Sequence, residues 1–117
     1  ILNLYPYTSG HLMIVPFTHT NQISDLPAET LNEMMQLAQK AVRVLEEVYH
    51  PQGFNIGMNL GSVAGAGIAS HLHMHVVPRW SGDANFMSII GETRLMPEDL
   101  GQTYKRVSEA WQADTPK

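Results

Sequence analysis

The run HLHMHVVPRW at residues 71–80 sets histidines at alternate positions, His71, His73 and His75, with apolar Leu72, Met74, Val76 and Val77 between and after them. Successive side chains of a strand point to opposite faces. The pattern therefore predicts a strand, ending at Pro78, with three imidazoles on one face and hydrophobes on the other. Neighbouring imidazoles oppose one another's protonation. At neutral pH the row should mix neutral and charged rings, offering both a nucleophile and proton donors.

The rest of the chain supplies a frame for such a strand. Residues 1–4 read as a short strand and residues 5–10 (YPYTSG) as a turn-rich connection to a second, antiparallel strand at residues 11–17. Residues 27–48 are the clear helix, with Leu31, Met34, Met35, Ala38, Ala41, Val42, Leu45 and Val48 at helical spacing. Ser24 or Asp25 is expected to cap it, Pro27 suits its first turn, and Pro51 with Gly53 ends it. A third strand is expected at residues 54–60, then a glycine-rich loop at 61–70 (GSVAGAGIAS) leading into the histidine strand. A short strand near residues 89–95 and a final helix over 97–111 follow, the latter with Leu100, Tyr104, Val107 and Trp111 on one side and a weakening Gly101. The expected class is α+β: an antiparallel sheet of about five strands, one long helix and a C-terminal helix.

No repeat or linker divides the 117 residues, so one domain over 1–117 is expected. Ile1 reads as mid-strand, so a preceding segment of the natural protein is expected to be missing. A net charge of −4 argues against a nucleic-acid polymer as partner, which would call for a basic stripe. No apolar run approaches membrane-spanning length. With no cysteine there is neither a disulfide framework nor a thiolate site, and a cytoplasmic setting fits.

Two chemistries suit the histidine row. Alternating histidines ligate zinc in metal hydrolases, yet such sites add a carboxylate, and none follows here before Asp83. Alternatively, a neutral imidazole attacks phosphorus to give a phosphoramidate, while its neighbours neutralise phosphoryl oxygens and protonate the leaving group. Gly61, Gly65 and Gly67 favour the second use, because successive backbone N–H groups there can cradle an anion. The loop lacks the Gly-Lys-Ser/Thr ending of a P-loop. Trp80 offers a ring for stacking on a base, and Asn59 an amide for a sugar or phosphate oxygen. Arg79 closes the strand.

The string HLHMHVV, together with Asn3, Pro6, Gly10-His11 and Pro16 upstream, resembles the histidine triad (HIT) superfamily of nucleotidyl hydrolases and transferases. The longer string from Asn59 to Met87 is most similar to the bacterial branch related to diadenosine tetraphosphate phosphorylases and hydrolases. The resemblance implies that His73 is the nucleophile at an α-phosphate, flanked by His71 and His75, and that His11 packs against the triad. It also implies ribose contact by Asn3, phosphate contact by Asn59, Gly61, Gly65, Ala66 and Gly67, and a nucleobase-side position for Trp80. A homodimer with joined sheets is implied too. No protein-bound metal or cofactor is required, although a divalent cation can accompany the substrate. Relatives place Gln or Ser where Gly67 stands, so water is the expected acceptor for a (di)nucleoside polyphosphate. Phosphorolysis, a zinc site and a non-catalytic nucleotide-binding module are the alternatives.

Overall fold

A computed structural model describes residues 10–18, 20–64, 71–82 and 100–114. The elements are β1 (Leu12–Ile14), α1 (Ala28–Tyr49), β2 (Gly53–Gly57), β3 (Met74–Arg79) and α2 (Leu100–Ala113), with one-turn 3₁₀ helices at Ile23–Asp25 and Ser62–Ala64. The strands form an antiparallel sheet in the order β1-β3-β2, so the triad strand is central. The class is α+β as expected. Of the five anticipated strands, those at residues 1–4 and 89–95 lie outside the described residues.

α1 packs on one face of this sheet. Met34, Ala38, Ala41, Val44 and Leu45 are its buried residues. They meet Leu12 and Ile14 of β1, and Leu72, Met74 and Val76 of the triad run, in one core. Val44, outside the expected stripe, is fully buried, whereas Met35 is 53% exposed. The buried face thus takes in Val44 and keeps Met34 while leaving Met35 towards solvent. Neither Ser24 nor Asp25 caps it. Both lie in the preceding 3₁₀ turn, and extended Pro27 takes the N-cap position with no side-chain bond. Leu26, one residue earlier, is buried and Leu31 packs against the same core, an apolar clasp that fixes the chain's entry instead. At the other end His50 adopts the left-handed conformation (φ 50°) and its N–H donates to the Glu46 carbonyl. Arg106 of α2 donates to the Val48 carbonyl at 2.8 Å and lies over the Tyr49 ring, a cation at the negative end of α1.

α2 runs through Gly101 and is anchored to α1 by Val107, by Lys40 over the Trp111 ring and by a two-pronged Arg43–Asp114 ion pair. Its buried side includes Thr103, while Tyr104, expected inside, is 66% exposed.

Gly10 shows why the Gly-His pair opens β1. Its φ is +84°, and a Cβ there would sit 2.9 Å from Leu45 and 3.0 Å from Tyr49. Only glycine lets the chain pass this close to α1 and deliver His11 to the sheet.

Candidate active site

Alternation along the triad run is strict. Leu72, Met74 and Val76 are 3%, 5% and 0% exposed, and His71, His73 and His75 between them are half-buried on the other face. Only His75 lies inside the ladder, because β3 starts at Met74. The strand expected for all three histidines therefore begins later. Its approach is held by single bonds: Leu72 N–H to the Thr20 carbonyl at 2.8 Å, and His71 Nε2–H to the Pro16 carbonyl at 2.8 Å. β3 also runs one residue past Pro78. That proline lies beyond Leu12–Val76, the last pair with β1, and faces Phe54 of β2.

The three rings are held differently. His73 Nδ1 lies 3.2 Å from the His71 carbonyl oxygen. A carbonyl only accepts, so Nδ1 carries the proton and the neutral ring keeps its lone pair on Nε2. His73 meets His75 edge to face, with ring centroids 4.8 Å apart. His75 Nδ1 in turn shares a 2.8 Å hydrogen bond with His11 Nε2. His11 is 2% exposed, and burial followed by the His75 charge pushes its pKa down to about 4. Burial, then the His73 charge, also lowers His75. The row thus runs from fully buried His11 to half-buried His75 and His73.

Met13 of β1 pairs directly with His75, and Gly57 of β2 pairs with it from the other side. His71 also lines an apolar cavity of about 630 Å³ between β1, α1 and α2, with Ile14, Phe17, Leu37, Val107 and Trp111 among its walls. One member of the triad thus borders an apolar cavity, while His75 lies in the sheet between Met13 and Gly57.

The structure brings His11, His71, His73 and His75 together. Asn59 and Gly61 are exposed on the segment after β2. Gly61 has φ +80° and accepts from Ala64 N–H in the 3₁₀ turn that opens the loop. Trp80 is half-buried just past β3. Asn3, Gly65, Ala66 and Gly67 lie outside the described residues. Among the described residues no three His, Asp or Glu side chains converge as a metal-ligand set. Sequence reasoning missed the carbonyls of Pro16 and His71, since a backbone acceptor leaves no trace in residue type. It also missed Asn55, whose Oδ1 accepts from Arg79 Nη1. Asn55 lies two residues from Gly53 in a strand opposite Arg79, and that pairing is a tertiary fact.

A family model described as HIT domain matches residues 1–82. The AP-4-A phosphorylase of Mycobacterium tuberculosis (strain ATCC 25618 / H37Rv) is 49% identical over 111 residues, 95% of this chain and 57% of that protein. The asymmetrical bis(5'-nucleosyl)-tetraphosphatase of Schizosaccharomyces pombe is 26% identical over 97% of this chain and 62% of its own length. This chain thus spans little more than half of each. Among solved structures, a Zn-bound histidine triad family protein from Mycobacterium smegmatis superposes with a TM-score of 0.75 at 31% identity, over 97% of this chain and 76% of that one. With its triad, its buried fourth histidine and these relatives, the chain belongs to the HIT family.

Proposed function

We propose that this protein is a nucleotidyl-transferring enzyme that cleaves a dinucleoside polyphosphate at an α-phosphate through a nucleotidyl-His73 intermediate. The observation that carries this reading is the His73 Nδ1–His71 carbonyl bond, which leaves the Nε2 lone pair for attack. Nε2 bonds to Pα as the Pα–O bond to the β-phosphate breaks, its electron pair leaving on the oxygen. His75 donates a hydrogen bond to that oxygen, which departs as the nucleoside polyphosphate anion. In this reading His11 Nε2–H is the donor to His75 Nδ1, which leaves the His75 N–H at Nε2. An acceptor oxygen then attacks Pα, the N–P bond breaks and its pair returns to His73.

Two acceptors have support. Gly67, lacking a hydroxyl to hold a second phosphate, speaks for water. The 49% identity to a protein named AP-4-A phosphorylase speaks for inorganic phosphate. A homodimer in the cytoplasm, with residues 1–117 as a single domain, completes the reading. No helix among the described residues is long and apolar enough to cross a membrane.

The test is incubation with diadenosine tetraphosphate in phosphate and phosphate-free buffers. Water as acceptor yields AMP and ATP; phosphate yields ADP and ATP. An alkaline quench should trap adenylylated His73. Turnover that survives His73→Asn would defeat the reading.

A further inference from the structure

Beyond the triad, the same face of the sheet continues as a trough with a cation at its far end. The β3 side chains on this face are His75, Val77 and Arg79, and β2 places Gly57, Asn55 and Gly53 opposite them. The β2 row is therefore glycine, asparagine, glycine. A Cβ built on either Gly53 or Gly57 meets nothing within 4 Å among the described residues, and neither glycine has a positive φ. The backbone does not demand glycine at these two places. Among the described residues, their effect is to leave the sheet without side chains beside His75 and Arg79, where a ligand can approach the backbone closely. At the end of this floor the Arg79 guanidinium is braced by Asn55 Oδ1, the diagonal neighbour on the same face. Among the residues the register puts here, Arg79 alone carries a permanent charge. It stands four residues from His75, about 13 Å along the strand.

From this arrangement we infer that Arg79 and Asn55, across the Gly57 floor, form a binding site for the distal phosphates of the leaving group. Arginine suits it, since a guanidinium presents a fork of donors to phosphate oxygens and Asn55 fixes its orientation. The separation matters: Arg79 lies six residues beyond His73, so an α-phosphate on His73 does not reach the guanidinium, and only the far end of a chain of several phosphates extends towards it. The site therefore selects for long-chain substrates over nucleoside monophosphates. This inference rests on the proposed function for the identity of the anion.

Its test is equilibrium binding, which needs no turnover. The probes are AMP and a diadenosine tetraphosphate analogue with methylene groups at the α,β-bridges. Wild-type protein should bind the analogue more tightly than AMP. Arg79→Ala should weaken the analogue about ten-fold and AMP less than two-fold, with Arg79→Lys in between. Gly53→Val, directly opposite Arg79, leaves every charge in place and suits a strand, yet fills the far end of the trough. It should weaken the analogue several-fold and spare AMP. Equal losses for both ligands, no loss in either variant, or no wild-type preference for the analogue would overturn the inference. Selective losses in a protein that never cleaves diadenosine tetraphosphate would sustain the site and sink the proposed reaction.

Discussion

The two faces of the run 71–80, which contains β3, are held by opposite means. On the α1 side Leu72, Met74 and Val76 lose nearly all contact with water and are fixed by packing. On the other side His71, His73 and His75 stay half-exposed and are held by directed polar contacts at ring nitrogens and a carbonyl. Packing is shared among many atoms, so the apolar face tolerates no shift but depends on no single bond. The polar face is the reverse. One lost acceptor changes a tautomer, and with it the chemistry, while the fold stands.

Adjacent substitutions should separate the two faces most sharply. His73→Asn removes the lone pair proposed to attack phosphorus. It should lower kcat by about 10⁴-fold or more, the scale of nucleophile deletions, with the melting temperature within a degree or two of wild type. Met74→Ala, one residue on, should do the opposite. Met74 is 5% exposed, and truncating such a side chain costs about 2–5 kcal/mol. Urea unfolding should show that loss, with kcat per folded molecule nearly unchanged. Stability lost on His73→Asn, or activity lost selectively on Met74→Ala, would mean that the faces are not separable.

His11 is the point at which the faces meet, a polar ring buried like a core residue. Its folded pKa of about 4 lies below the ordinary 6.5, so between those values the unfolded chain binds a proton that the folded protein refuses. Stability should therefore be full above pH 6.5, fall as the pH drops towards 4, and level off below. The total is of order 3 kcal/mol at 1.36 kcal/mol per unit. The lowered pKa of His75 acts in the same sense. Denaturant titrations from pH 7.5 to 4 should show this slope, and His11→Gln should flatten it without abolishing it. An unchanged slope in that variant would assign the acid sensitivity elsewhere.

What could be read from the sequence follows the same division. The alternation from His71 to Val76 and the helical stripe of α1 are local periodicities, and both are in the structure. Helix α2 is also present, although its stripe is rotated to bury Thr103 and not Tyr104. The cap of α1 was not legible, because apolar Leu26 does by tertiary packing what Ser24 or Asp25 would do by hydrogen bonding. His11 beside His75 was legible only through family resemblance, since 64 residues separate them. The Pro16 and His71 carbonyls and the Arg79–Asn55 pair depend on strand register, which no residue type announces.

The smallest effect should come from His71→Ala, and it tests how the polar face is wired. His71 contributes twice: its ring ties the approach to β3 onto the Pro16 carbonyl, and its own carbonyl accepts from His73 Nδ1. Alanine removes the first and keeps the second. The His73 tautomer should therefore survive on a looser tether, and kcat should fall only about ten-fold, or 1.4 kcal/mol, with trapped nucleotidyl-His73 still detectable. Nitrogen chemical shifts of the His73 ring should still report Nδ1–H. A loss as large as that of His73→Asn, with the tautomer unchanged, would put the His71 ring itself at the reacting phosphate.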